Sequence, residues 1–141
     1  MIKALLDINV ILDVLQKRAP HYESSSEVLS LCAESQINGY LSATSFGTLH
    51  YVLSKFTGKA KSLSAIKKLR AITSVAAVDD GVIDLAASSN FTDFEDAIQY
   101  YSAVRNGIDQ IITRNKKDFA KSMLAVSTPE DFLKTFASTK K

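Results

Sequence analysis

The sequence predicts an α/β fold of three layers, α/β/α, with helices covering both faces of a central parallel sheet of four to five strands. Three observations lead there. Short apolar runs alternate with longer stretches of helical period along the whole chain. The first run, "IKALL", has the composition of a buried strand and leads directly into a helical pattern. Two Pro, five Gly and no low-complexity stretch or internal repeat leave no linker, so residues 1–141 are expected to form one domain.

Each element follows from local pattern. "IKALL" is the first strand, and a short helix spans Asn9–Lys17. Pro20 breaks the chain, and "HYESSSEVLSLCAES" is helical with Val28, Leu29 and Cys32 on one face. Gly39 leads into "YLSA", the second strand. Helical periods run over Ser45–Lys55 and Lys61–Ile72, separated by a turn at Gly58. "SVAAV" is the third strand, and "DDGVIDLAASS" a short helix capped by Asp79 or Asp80. "TDFEDAIQYYSAVRNG" predicts a helix with a capping box, Thr92 at N-cap and Glu95 at N3, stopped by Gly107. "DQIITR" is the fourth strand and Leu124–Val126 the fifth. The last helix opens with Thr128 at N-cap and Pro129 at N1.

Composition excludes several classes of function. A net charge of +2 is too small for a generic nucleic-acid surface, so contact with polyanions must be local. One cysteine, Cys32, excludes an intrachain disulfide and suits a reducing compartment. No apolar run approaches the about 20 residues that span a bilayer, and the amino terminus lacks a signal-peptide layout. A cytoplasmic protein without membrane contact is expected.

The carboxylates carry the chemistry. In parallel α/β sheets, ligands gather at the carboxyl ends of the strands. Asp7 directly follows the first strand, Asp96 lies one turn into the capped helix, and Asp118 follows the fourth strand in "TRNKKDF". Asp93 shares a helical face with Asp96. With the first and fourth strands adjacent, Asp7, Asp96 and Asp118 should converge on one concave, solvent-reachable pocket with Asp93 nearby. Local roles compete with this. Asp7 could cap the first helix, Asp93 and Glu95 suit the positive end of a helix dipole, and Asp118 could cap a turn over Phe119–Met123. Asp96 falls beyond the capping positions, near the face of Ala97, Tyr100 and Ala103, where a carboxylate needs a cation. Gathered carboxylates repel until a proton or cation settles them, and hard oxygen donors select Mg²⁺ or Mn²⁺. The paired His or Cys spacings of a zinc site are absent. His21 reads as a helix-start residue beside Pro20, and His50 as a partly buried polar residue in mid-helix.

These motifs resemble the PIN-domain family, the nuclease fold of VapC-type toxins, over nearly the whole chain. The resemblance is carried by "LLDINVILDVL", "SATSFGTLHYVL", "DFEDAIQYYSA" and "IITRNKKDF". It implies a metal-dependent ribonuclease whose acidic residues surround one or two divalent ions. Asp7 falls on the family's first acid and Asp96 on its third, while the fourth falls on Asn115 or Asp118. Thr113 matches the hydroxyl residue of the last motif, and Asn9 the polar residue two after the first acid. Asp7, Asp96 and Asp118 are therefore expected to hold Mg²⁺ or Mn²⁺, supported by Asn9, Asp93, Thr113 and Asn115. In-line hydrolysis of RNA leaving a 5′-phosphate is implied. The family's second acid, usually a Glu in the third helix, falls on Thr48, and Ile8 replaces the common Thr or Ser after the first acid.

Arg114, Lys116, Lys117 and Lys121 flank the last acid and would guide an RNA backbone. Lys55, Lys59, Lys61, Lys67, Lys68 and Arg70 form a second group around Gly58 that reads as a solvated rim. The resemblance also implies an antitoxin partner and a homodimer, for which Phe46, Tyr51, Phe56, Tyr100 and Tyr101 offer apolar surface. The alternative is a PIN fold that has lost its activity and binds RNA or protein, as the missing second acid suggests. A receiver-like signalling domain would want an acidic pair where Asp7 stands alone and a Lys ending "LAVST". A phosphatase of the Asp-x-Asp type fails at Asn9.

Overall fold

The first strand, β1 (Lys3–Leu6), is buried from Ala4 onward, and its side chains divide between two cores. Ala4 and Leu6 pack with Val10, Ile11, Val28, Leu49 and Phe132 on one face, while Leu5 packs with Tyr100, Ile111 and Phe119 on the other. A strand apolar on both faces belongs in the middle of a covered parallel sheet. The computed structural model, which describes residues 1–139, places it there. β2 (Asn38–Ser42), β3 (Ser74–Ala76), β4 (Gln110–Ile112) and β5 (Ala125–Ser127) complete a parallel sheet in the order β3-β2-β1-β4-β5.

Helices α1 (Ile8–Leu15), α2 (Tyr22–Ala33), α3 (Ala43–Thr57), α4 (Lys59–Ile72) and α7 (Pro129–Thr139) supply the first core. Helices α5 (Asp80–Ala87) and α6 (Phe94–Arg105) supply the cores of the opposite face. The three-layer α/β/α architecture expected from the alternating periods is therefore present, with five strands. None of the described helices is long and apolar enough to cross a membrane.

The strand order reverses between β1 and β4, which is where such sheets open a crevice at their carboxyl ends. The ladder runs one step past the strands. The Asp7 amide donates to the Ile112 carbonyl at 2.9 Å, and the Thr113 amide to the Ser127 carbonyl at 2.9 Å. Asp7 and Thr113 are thus fixed side by side at the lip of that crevice.

Several boundaries differ from expectation for local reasons. The third strand stops at Ala76 because β3 is an edge strand and Val78 turns away to pack against Val82 and Ala86. The helices around Gly58 extend to meet at it, since its φ of +91° makes the whole turn in one residue. His50 tethers that hairpin, with Nδ1 2.8 Å from the buried Ser62 hydroxyl. The N-cap of α6 is Asp93 rather than Thr92, its carboxylate accepting from the Asp96 amide at 3.0 Å. Asp96 therefore occupies N3, inside the first turn, not beyond it. Asp118 lies within a short 3₁₀ turn, Lys116–Phe119, instead of capping a later one. Tyr100 is 5% exposed in the core and accepts from the Met123 amide, so it offers no dimer surface. Phe46 and Tyr101 are also packed inward, leaving Tyr51 and Phe56 exposed. Asp79, Thr128 and Gly107 cap and stop their helices as expected.

Cys32 is the buried filler its surroundings imply, and burial pushes its thiol up to about 11. Its Sγ would lie only 2.5 Å from a Cβ added at Gly39, so β2 approaches α2 through a residue without a side chain. Gly39→Ala is expected to lower stability by about 1–3 kcal/mol in urea denaturation, and Cys32→Ala in the same chain to recover part of the loss.

Candidate active site

Asp7 holds the N-cap position of α1, yet its carboxylate makes no capping bond. Both oxygens turn to side chains from distant parts of the chain. Oδ2 accepts from the Thr113 hydroxyl at 2.7 Å, and Oδ1 accepts from Nε2 of Gln99 at 3.1 Å. Asp7 is 2% exposed, and burial raises its pKa despite these two hydrogen bonds, with the charge of Asp118 adding to the rise. Thr113 and Asp7 lock each other. The same threonine oxygen accepts from the Asn115 amide at 3.1 Å, which turns the chain out of β4 toward the 3₁₀ turn.

Gln99 is the residue that joins the site. Its amide nitrogen donates to Asp7 and also to Oδ1 of Asp96 at 3.4 Å, while its oxygen accepts from the Ile8 amide at 3.2 Å. A single buried amide therefore spans two carboxylates and the start of α1. Asp96 is half-buried, and its carboxyl is pushed up to about 7. Desolvation is the largest cause, followed by repulsion from Asp7, Asp93, Asp118 and Glu95. Two effects meet at α6: Asp93 caps the helix and, by its charge, makes Asp96 harder to ionise.

Asp118 is exposed and opens on a cleft of about 370 Å³ lined by Asn9, His21, Arg114, Asn115 and Asp118. Asp7 and Asp96 do not line it. The coupling between them is electrostatic, with the charge of Asp118 acting on Asp7 and Asp96 and that of Asp7 acting on Asp96. Among the described residues, no three His, Cys, Asp or Glu side chains stand together as a ready-made metal cluster. The oxygen donors present are hard and mutually repulsive, a set that suits a divalent cation such as Mg²⁺ or Mn²⁺. Thr48 is half-buried on α3 and adds no charge.

The basic residues divide. Lys116 and Lys117 are exposed on the 3₁₀ turn. Lys121 donates to the Asn90 carbonyl. Arg114 lies back against Asp13, its Nε 3.4 Å from the carboxylate. Gln99, Asp13 and His21 escaped the sequence reading as site residues. The signals available were a glutamine three residues after Asp96 on an apolar helix face and a carboxylate inside "VILDVL". His21 does begin α2 as expected, but it also lines the cleft.

Comparison with known proteins identifies the family and the fold. A family model described as PIN domain matches residues 3–117. Ribonuclease VapC1 from Aquifex aeolicus (strain VF5) is 30% identical over 135 residues, covering 92% of each chain. Among solved structures, VapBC2 from Rickettsia felis bound to a DNA fragment from its promoter matches with a TM-score of 0.68 at 16% identity. That match covers 90% of this chain and 98% of the other. A toxin–antitoxin complex from Klebsiella pneumoniae matches with a TM-score of 0.68 at 20% identity, covering 89% and 97%. The strand order, the acids at the switch point and these matches agree: the chain belongs to the PIN domain family.

Proposed function

We propose that this chain is a divalent-metal-dependent ribonuclease, the toxin of a toxin–antitoxin pair. The observation that carries the reading is the linked set Asp7–Gln99–Asp96, with the charge of Asp118 felt by both acids, at the reversal of strand order. Perturbed carboxylates gathered at such a place are the mark of a catalytic centre. Asp7, Asp96 and Asp118 would hold Mg²⁺ or Mn²⁺, with Asn9, Asn115 and Thr113 around them. A bound ion supplies an activated water and offsets the charge that builds on the phosphoryl oxygens. The chain's own residues do the rest. Thr113 orients Asp7, Gln99 bridges Asp7 and Asp96 by donating to both, and Lys116, Lys117 and Arg114 draw the RNA backbone toward them.

Support for a toxin role comes from the relatives, among them ribonuclease VapC1 and a toxin–antitoxin complex. An antitoxin has a suitable surface in the groove of about 400 Å³ between α1, α2 and α4, lined by Leu15, Leu29, Ala65, Leu69 and Ile72. Lys61 and Lys68 edge that groove, which suits an amphipathic helix with acidic flanks. A homodimer through the exposed Tyr51 and Phe56 of α3 belongs to the same reading. Thr48, neutral where an acid is usual, favours the second reading of a PIN fold that binds RNA or protein without cleaving it.

Purified protein should cleave single-stranded RNA in Mn²⁺ and stop in EDTA, and Asp96→Asn should slow cleavage at least about a hundredfold. Activity unchanged by Asp96→Asn would remove the site. Since Asp96 titrates near 7, protons compete with the ion. Mn²⁺ affinity read by calorimetry should fall as pH is lowered below about 7, by up to about tenfold per unit. Without metal, the sign is the opposite for the fold. The native state keeps a proton that the unfolded chain releases near its ordinary value of 3.8, so stability is lost as pH rises from there through about 7. Asp96→Asn should flatten both profiles. Thr48→Glu should tighten Mn²⁺ binding by about tenfold. No change in affinity, together with no cleavage of RNA, would favour the binding module.

A further inference from the structure

The carboxylate of Asp13, on α1, is 0% exposed, and neither of its oxygens has a hydrogen-bond donor. Burying such a group is costly unless a cation faces it. Two do: Nε of Arg114 at 3.4 Å and Nη1 of Arg18 at 4.0 Å. Arg114 is the informative partner, because it is held at both ends. Its backbone follows Thr113, which is fixed by hydrogen bonds to Ser127 and Asp7. Its guanidinium rests on Asp13 through Nε, the edge nearest the chain. The outer edge, carrying the two terminal nitrogens, belongs to a side chain that lines the cleft with Asn9, His21, Asn115 and Asp118.

We propose that Asp13 is a positioning residue that holds Arg114 as a fork for a backbone phosphate of RNA, next to the phosphate that reacts. The inference rests on the ribonuclease reading and adds a phosphate subsite to it. A planar guanidinium grips a phosphate through two parallel N–H bonds, and a clamped side chain loses little freedom on binding. His21 and the amides of Asn9 and Asn115 bring further donors to the same cleft. Asp118 is the one acid among the lining residues, and its charge reaches Asp7 and Asp96. It therefore marks the side on which the reacting phosphate lies, and Arg114 takes the neighbour.

The test is binding of a short fluorescein-labelled single-stranded RNA in EDTA, read by anisotropy over a salt series, beside thermal melts and Mn²⁺ cleavage. Arg114→Ala should weaken binding about tenfold and reduce the salt slope by about one, and Asp13→Asn, which leaves the arginine's charge but not its hold, should weaken binding severalfold at an unchanged slope. The double variant should be no weaker than Arg114→Ala, because Asp13 acts only through the arginine. A purely structural Asp13 would lower the melting temperature and leave RNA affinity at the wild-type value, which overturns the proposal. Additive losses in the double variant also overturn it. Should Asp13→Asn fail to fold, Arg114→Lys decides. It keeps the charge and loses the fork, so it should hold the salt slope while weakening binding severalfold; wild-type affinity in that variant rejects the subsite. Normal RNA binding by Arg114→Ala, alongside cleavage abolished by Asp96→Asn, rejects the subsite and leaves the nuclease standing. A wild-type chain that neither binds nor cleaves RNA removes both.

Discussion

The buried carboxylate of Asp7, shared between Thr113 and Gln99, is the contact on which the candidate site depends. It sits where β1 ends, and its two partners come from the end of β4 and from the middle of α6. The sheet sets this up. Parallel pairing of β1 with β4 brings Asp7 and Thr113 level, and packing of α6 over that seam through Tyr100 and Ala103 lowers Gln99 onto them. A charged group in that position is tolerated because every oxygen is met, although burial still raises its pKa. The core and the chemistry are therefore one arrangement: shift the register of β4 by a residue and Thr113 would point to the wrong face.

Around this contact the protein keeps its negative charges close enough to repel. Asp96 is already capped into the first turn of α6 by Asp93, so it cannot move away without undoing the helix start. Gln99 separates it from Asp7 with one amide. Such a site is poised: a cation removes the repulsion, whereas a proton removes only part of it. The basic side chains complement this, with Lys116 and Lys117 free on the surface and Arg114 clamped to a buried acid.

Much of the architecture was legible in the chain because it is governed by local pattern. Strand-to-helix alternation predicts the layers, and Asp7 and Asp96 can be placed by their distance from strand ends and helix starts. What escaped depends on groups far apart in sequence. Thr92 and Asp93 are both good caps, and the structure uses the second, whose carboxylate accepts from the Asp96 amide. Tyr100 looks like spare aromatic surface until β2, α6 and the 3₁₀ turn are seen to enclose it. Gln99 and Asp13 look like polar interruptions of apolar helix faces. Their meaning comes from partners 92 and roughly a hundred residues away, which no window along the chain contains.

That separation has a consequence for how the protein comes into being. The hydroxyl and amide that orient Asp7 follow it along the chain by 106 and 92 residues. The central strand waits without its β4 neighbour while most of the chain is made, since closing so long a loop is slow and unrewarded until β4 exists. A chain that stops before β4 thus carries Asp7 and Asp96 but neither Thr113 nor Asp118. The centre therefore assembles only after β4 has been made and has paired with β1.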